Sequence, residues 1–377
     1  MDITYSFAKQ YLQVVLDVLN QSYQCIGPTI SDQALVFTEL TQLSQLPMGY
    51  IDHQKPGEYR LEFSPQHRDY FSVTTGPQGI KPWLFKPQEK LWKVHKEDGQ
   101  TRFKASLADK NPKQKPLAFI GARACDLAAL KLQDQHFLEG DYYDPYYAQH
   151  RENLLIVAVN CHRSTETCFC ASTRDGPEVR QNFDLLLTEL DSDFLLACGS
   201  SEGENLIHQL QQKMDLSAVT EQQQREKTQR LDNAAEQTRQ LPDKPIAQLL
   251  AHRLNHKQWN QVAERCLSCG NCTMVCPSCF CHSEYDEPAL DLNSSEHIRQ
   301  WDSCFTAQHS YIAGFTFRKE TRQHYRQWLT HKFSFWHDQY GRSGCTGCGR
   351  CISWCPVGID VTEELAILCE EDSCHVN

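Results

Sequence analysis

The pattern of apolar and polar positions predicts helices and strands in the first part of the chain and mainly helices in the last third. Residues 1–22 carry apolar side chains at helical spacing, which predicts an amphipathic helix. Residues 117–120, 154–159 and 194–197 are short apolar runs bounded by loop-forming residues, so we expect buried strands there. This alternation indicates an α/β or α+β domain, in which functional side chains gather where strands end.

A polar stretch follows this part of the chain. From about residue 215 to 240, charged and glutamine residues predominate, which predicts a solvated helix. This helix is either a spacer or an ordinary surface helix of the first domain. Pro242 and Pro245 follow and mark a boundary. We therefore expect an α/β domain over residues 1–245, with the polar helix near its end, and a mostly α-helical domain over residues 246–377.

Eight cysteines of the second domain form two copies of one pattern. Residues 266–277 and 345–356 both read Cys-x2-Cys-x2-Cys-x3-Cys-Pro. This spacing is typical of bacterial ferredoxins, in which the fourth cysteine of each run usually binds the other cluster. Zinc and disulfides fit this doubled spacing poorly. We predict two 4Fe–4S clusters, the first held by Cys266, Cys269, Cys272 and Cys355, and the second by Cys345, Cys348, Cys351 and Cys276.

The first domain has a cysteine set of its own, and each member follows the end of a predicted strand. The set consists of Cys125, Cys161, Cys168 and Cys170. Because strand ends of an open sheet lie at one edge, these thiols are candidates for convergence. Two interpretations stay open, a third iron–sulfur cluster and thiols that pack without a ligand.

Three further cysteines stand near the first run. They are Cys279, Cys281 and Cys304. They are either alternative ligands and thiols that tune a cluster, or small residues packed against it.

A basic and aromatic stripe nearby could dock an acidic partner or form an ordinary solvated helix face. Its members are Lys319, Arg322, Tyr325, Arg326, Trp328, Lys332 and Phe333.

Composition and charge narrow the classes of function. The chain has 377 residues, 19 of them cysteine, and a formal net charge of −11, which argues against nucleic acid as a partner. It shows no signal peptide and no apolar run of membrane-spanning length, so we expect a cytoplasmic protein whose thiols serve metals. It also lacks the glycine-rich loops that bind nucleotides and the common zinc-protease motif. We expect no catalytic residue and no cofactor site beyond the clusters.

Several segments are similar to the iron–sulfur β subunit of the sulfhydrogenase and anaerobic sulfite reductase families. The similarity runs from about residue 80 onward and rests on residues 121–127, 144–147, 160–170, 276–281, 301–304 and 355–360. It implies a subunit that relays electrons between a flavin subunit using NAD(P)H and a catalytic subunit. The catalytic subunit is a nickel–iron hydrogenase or a sirohaem sulfite reductase.

The resulting hypothesis is a non-catalytic electron-transfer subunit of a cytoplasmic oxidoreductase complex, with a hydrogenase as its catalytic partner. One alternative is the equivalent subunit of an anaerobic sulfite reductase. Another is a self-sufficient enzyme, in which Cys125, Cys161, Cys168 and Cys170 act on a disulfide or sulfur species. A third is a protein whose clusters serve only as structural links. Turnover by the isolated chain distinguishes the enzyme from the relay.

Overall fold

The computed structural model describes residues 4–108 and 115–370. Its strands are β1 (Thr4–Ala8), β2 (Gln24–Ser31), β3 (Ala34–Glu39), β4 (Tyr50–Lys55), β5 (Glu58–Phe63), β6 (Gln88–Glu97), β7 (Gln100–Ala105), β8 (Leu117–Ala122), β9 (Leu154–Val159), β10 (Leu185–Glu189), β11 (Asp193–Cys198), β12 (Ser217–Ala218), β13 (His282–Pro288), β14 (Ser294–Trp301), β15 (Tyr311–Ile312) and β16 (Phe315–Thr316).

The α-helices alternate with these strands and then dominate the last third. They are α1 (Leu12–Ser22), α2 (Lys81–Leu84), α3 (Ala124–Phe137), α4 (Pro145–Glu152), α5 (Cys170–Thr173), α6 (Ser201–Gln211), α7 (Glu221–Ala235), α8 (Ile246–His252), α9 (Gln258–Arg265), α10 (Asn271–Met274), α11 (Thr321–Thr330), α12 (Trp336–Tyr340), α13 (Arg350–Ser353) and α14 (Val361–Cys369). A π-helical turn over His331–Phe335 joins α11 to α12. Among residues 4–108 and 115–370, no helix combines the length and apolar composition needed to cross a bilayer.

A mixed sheet forms the centre of the first part. Within the described residues it has eight strands in the order β12-β1-β11-β10-β9-β8-β2-β3. Strands β2, β8, β9 and β10 are parallel to one another, and antiparallel strands complete both sides. Every residue of β9 is buried, because helices cover both faces of the sheet. The expected strands at 117–120, 154–159 and 194–197 are confirmed as β8, β9 and β11.

Two apolar cores lie on opposite faces of this sheet. On one face α1 and α6 pack with Leu16, Leu19 and Leu206 buried against the strands. On the other face α3 and α4 contribute Leu130 and Tyr147. Because α1 has one apolar face, its burial removes a continuous stripe of side chains from water and anchors the helix.

The expectation of a helix from residue 1 is wrong for residues 4–8. These residues form β1, whose backbone pairs with residues 193–197 of β11. The sheet hydrogen bonds override the helical spacing of the apolar side chains, and α1 begins at Leu12. Residues 1–3 of that prediction lie outside the described residues.

The polar stretch does form a helix, α7, which lies on the surface of the first part. Arg230 pairs with Asp69 and Glu226, and Lys227 lies 3.7 Å from the Glu178 carboxylate. These contacts attach α7 to the sheet domain, although each ion pair near the surface stabilises it only modestly. The boundary at residue 245 stays a prediction.

The last third contains strands as well as helices. Besides its α-helices it contains β13 and β14. These two strands form a four-stranded sheet with β6 and β7 of the first part, in the order β13-β14-β6-β7. The prediction of a mostly α-helical second domain therefore holds for the helices α8 to α14 and omits these strands. Since β14 pairs directly with β6, the two parts share one sheet.

A buried ion pair also joins the two parts. Arg350 in α13 and Asp126 in α3 are each 1% exposed, and Arg350 Nη1 donates to Asp126 Oδ1 at 2.8 Å. Arg350 Nε also donates to the Gly76 carbonyl oxygen at 3.0 Å. Burying both charges is costly, so the pair is stable only because each partner compensates the other.

Asp126→Ala should therefore lower the free energy of unfolding by about 3–5 kcal/mol, because it leaves a buried guanidinium without its counter-charge. Denaturant unfolding of the full chain measures the change, with iron content determined in parallel. The control is Glu221→Ala, which removes an exposed pair with Arg225 and should change the stability by less than about 0.5 kcal/mol. Equal and small losses in both variants would show that the buried pair does not stabilise the fold.

Candidate metal centres

The two cysteine runs adopt the same backbone conformation. Ser268 and Gly347, which occupy equivalent positions, have φ of 51° and 65°. Gly270 and Gly349, two residues later, have φ of 72° and 74°. These left-handed residues turn the chain tightly, and glycine adopts them without steric cost. Each loop then enters a one-turn helix, α10 or α13. The repeat of the sequence is thus a repeat of the structure.

Backbone amides point at the cysteine sulfurs of both runs. Ser268 N donates to Cys266 Sγ at 3.4 Å. Gly347 N donates to Cys345 Sγ at the same distance. Ile359 N donates to Cys355 Sγ at 3.3 Å. Such bonds stabilise a thiolate, and in iron–sulfur sites they tune the reduction potential.

A first cavity, with an empty volume of about 470 Å³, lies beside the first run. The thiols that line it come from both runs and are Cys266, Cys269, Cys272, Cys351 and Cys355. Three aromatic side chains, Phe305, Tyr325 and Trp328, and several aliphatic ones complete its wall. Leu267 is 63% exposed and Cys269 is exposed as well, so this cavity lies near the protein surface.

A second cavity of about 360 Å³ lies deeper in the protein. Its cysteines are Cys276, Cys345, Cys348 and Cys351. Cys276 is thus brought from the first run to the thiols of the second. Trp328 and Cys351 line both cavities, which are therefore direct neighbours.

The chemistry of the lining fits a cationic metal group. Burial raises the pKa of Cys345 to about 12 and that of Cys272 and Cys351 well above the usual range. Thiols in such surroundings ionise when a metal supplies the missing positive charge. In residues 4–108 and 115–370 no three His, Cys, Asp or Glu side chains are placed to hold a single ion. A cubane takes each thiolate at a different iron and so suits more widely spaced ligands.

The cysteines of the first domain lie against the second run. Cys125, Cys170 and Cys348 form one buried cluster. Burial and the neighbouring Cys168 and Cys161 together raise the pKa of Cys170, which indicates that all four thiols of the set are near one another. The parallel neighbours β8 and β9 produce this arrangement, because Cys125 and Cys161 follow their carboxyl ends.

Hydrogen bonds and two glycines fix this contact. Phe169 N donates to the Gly347 carbonyl at 2.9 Å, and the Thr167 and Ser353 hydroxyls lie 2.9 Å apart. A Cβ at Gly347 would lie 2.5 Å from Cys170 Cα, and a Cβ at Gly349 would lie 2.4 Å from the Thr167 carbonyl oxygen. The loop of residues 165–170 can therefore approach the second run only where side chains are absent.

The cysteines near the first run also lie close together. The Cys279 thiol hydrogen-bonds with Cys276, and the Cys281 thiol hydrogen-bonds with Cys304 and with the His309 ring. Cys304 is 8% exposed and belongs to the helical core. None of these three thiols lines either of the two cavities described above.

Two buried lysines lie at the site although no sequence pattern predicted them there. Lys332 was assigned to the basic stripe, but it is 4% exposed and lines the second cavity, whereas Lys319 of the same stripe is exposed. Lys81, which has no sequence pattern around it, is 2% exposed and donates to the carbonyls of Met274 and Cys279. Only the three-dimensional arrangement identifies them.

Comparisons with known proteins agree with this geometry. Two family models, both described as 4Fe-4S dicluster domain, match residues 265–359 and residues 229–280. The sulfhydrogenase 2 subunit beta of Pyrococcus furiosus is 30% identical over 288 residues, which cover 74% of this chain and 79% of that protein. The match extends well beyond the residues covered by the dicluster models.

Proposed function

Because this chain belongs to the family of sulfhydrogenase β subunits, we propose that it is the electron relay of a hydrogenase complex. In this role it passes single electrons between a flavin subunit that uses NAD(P)H and a nickel–iron catalytic subunit. The observation that carries the proposal is the pair of neighbouring cavities, each lined by cysteines from both runs. Neighbouring one-electron centres allow electrons to pass within the protein.

The proposed ligands follow the lining of the cavities. Cys266, Cys269, Cys272 and Cys355 would hold one cluster, and Cys276, Cys345, Cys348 and Cys351 the other. Such clusters accept and release one electron at a time. The protein contributes apolar walls that exclude water and backbone amides that stabilise the sulfurs. The exposed Cys269 side gives a partner subunit close access to the first cluster.

A third cluster in the first domain extends the relay in this proposal. Its ligands would be Cys125, Cys161, Cys168 and Cys170, and its support is the buried contact with Cys348. The same burial argues against the alternative of a disulfide-reducing active site, because Cys125, Cys168 and Cys170 are only 6–8% exposed. A substrate disulfide would have little access to these thiols.

The exchange of the fourth cysteines can be tested by comparing single variants. Cys276→Ser should alter the same electron paramagnetic resonance signal as Cys348→Ser, because both change ligands of one cluster. Cys355→Ser should instead alter the same signal as Cys272→Ser, because both change ligands of the other cluster. The measurement uses the full chain, reconstituted anaerobically and then reduced. If Cys276→Ser altered the same resonance signal as Cys272→Ser, the result would show that each run holds its own cluster.

The cluster of the first domain can be tested by its iron. Cys168→Ala should remove about four irons per chain with the matching sulfide, because a cubane rarely persists without one of its thiolates. Iron and sulfide analysis measures the loss. The control is Cys25→Ala, which removes a fully buried thiol of β2 that belongs to none of the proposed sets. An unchanged iron content in a folded Cys168→Ala variant would indicate that these thiols pack without binding a cluster.

The relay itself predicts dependence on partners. The purified chain should be reduced by a strong chemical reductant but not by NADH or NADPH, because a cluster cannot split a hydride into single electrons. Addition of the flavin subunit should restore reduction by pyridine nucleotide. The measurement is anaerobic bleaching of the cluster absorbance. Rapid bleaching of the flavin-free chain would favour the self-sufficient enzyme, and clusters that cannot be reduced reversibly would favour a structural role.

A further inference from the structure

A short β-hairpin, formed by β15 and β16, carries large apolar side chains on the outside of the protein. Ile312 stands opposite Phe315 in the antiparallel pair, and the rings of Phe315 and Phe317 lie 5.1 Å apart. Their exposed fractions are 66%, 52% and 61%. We call these three side chains the hairpin patch. Single exposed apolar residues are ordinary, but a contiguous group marks a surface that another molecule covers.

The hairpin is held firmly at its base. Phe317 N donates to the Ser310 carbonyl oxygen at 3.1 Å, and Arg318 N donates to Ser310 Oγ at the same distance. His324 Nε2 of α11 donates to the Arg318 carbonyl oxygen at 3.0 Å. These bonds fix the hairpin to the start of α11. The patch is therefore presented by an ordered backbone, which reduces the entropy lost when a partner binds.

The start of α11 also borders the first cavity. The ring of His324 lies 6.3 Å from the ring of Phe305, which lines that cavity. In the same turn of the helix, the Thr321 hydroxyl bonds to Ser268 at 3.0 Å. Ser268 lies between Leu267 and Cys269, which are exposed and line the cavity as well. The hairpin patch and the exposed edge of the first cavity therefore both flank the first turn of α11.

Positive charge lies beside the patch. The Lys319 ammonium is 4.7 Å from the centre of the Phe315 ring. Arg322 donates to the Asn260 side-chain oxygen at 3.3 Å, and Arg326 donates to the Leu254 carbonyl oxygen at 2.7 Å. These partners are neutral, so the positive charge remains, although the whole chain has a formal net charge of −11. Such a surface attracts a partner that carries carboxylates.

We propose that the hairpin patch and the cations beside it are the docking surface for the partner subunit that exchanges electrons with the first cluster. This inference rests on the proposed relay. The partner would present an apolar contact surrounded by carboxylates, with its own redox centre close to that contact. Docking on the patch would bring this centre towards the exposed Cys269.

The composition of the patch favours a permanent subunit. Permanent interfaces are more apolar than transient ones, and here three large apolar side chains are exposed together. A lipid surface or a second copy of this chain would also cover apolar side chains. Neither of them needs the exposed edge of a redox site beside the contact, whereas an electron-exchanging subunit does.

The experiment measures the affinity of the reconstituted full chain for the flavin subunit and, separately, for the catalytic subunit under anaerobic conditions. Replacing Ile312 and Phe315 together by serine should weaken the binding of one of these subunits at least about tenfold, because apolar anchors dominate such interfaces. The affinity for the other subunit should not change, since it docks elsewhere. Both side chains are more than half exposed, so the variant should keep its fold and its iron content.

A charge variant provides a second test, which also decides the matter if the double variant fails to fold. Lys319→Glu should weaken the binding of one subunit about threefold or more at low salt, and the loss should shrink as the ionic strength rises. The control is Leu290→Ser, which removes a fully exposed apolar side chain from the turn between β13 and β14. It should leave both affinities unchanged.

Several results would overturn the assignment. One is an unchanged affinity for both subunits in the folded variants, and another is an equal loss for both. Two more are binding of the unaltered chain to vesicles of anionic phospholipid, or to itself, that disappears in the double variant. If the unaltered chain bound neither subunit, the relay proposal would fail together with this one. If the variants bound normally and were still reduced through the flavin subunit, only the docking surface would be rejected.

Discussion

The buried pair of Arg350 and Asp126 holds the redox sites of this protein in one fixed arrangement. Arg350 lies within the second cysteine run, between Cys348 and Cys351, and Asp126 directly follows Cys125. Both side chains are 1% exposed. Because neither charge can be exposed to water without disrupting the surrounding core, the loop of the second run cannot separate from the start of α3. The contact between Cys125, Cys170 and Cys348 depends on this constraint.

The local charge around the thiols is opposite to that of the whole chain. The protein carries a formal net charge of −11, yet Lys81, Lys332 and Arg350 are buried beside cysteines. Burial alone would lower the pKa of Lys332, but the neighbouring sulfurs of Cys276 and Cys279 outweigh it and raise that pKa. Positive charge beside a cluster favours its reduced form. A cluster in the second cavity would therefore retain an electron better than one in the first, whose lining contains no basic side chain.

Sequence reasoning succeeded where the decisive interactions are local. The apolar runs of β8, β9 and β11 fill a buried sheet, and a run of this kind can be recognised without its partners. It failed for β1, because the strand that pairs with residues 4–8 lies at residues 193–197. It also failed for Lys332, which follows α11 in a π-helical turn. That turn alters the helical phase, and the side chain points to Cys276 and away from solvent.

One of the positions at which the two cysteine runs differ bears on the surroundings of their loops. Gly347 of the second run has no side chain, which allows the loop of residues 165–170 to pack against it. The equivalent residue of the first run is Ser268, whose hydroxyl bonds to Thr321 at 3.0 Å. The first loop therefore faces the protein surface, where Cys269 is exposed, while the second faces the thiols of the first domain. The repeated sequence thus provides one loop at the protein surface and one turned towards the interior, and the serine that stands where the other copy has glycine contributes to this difference.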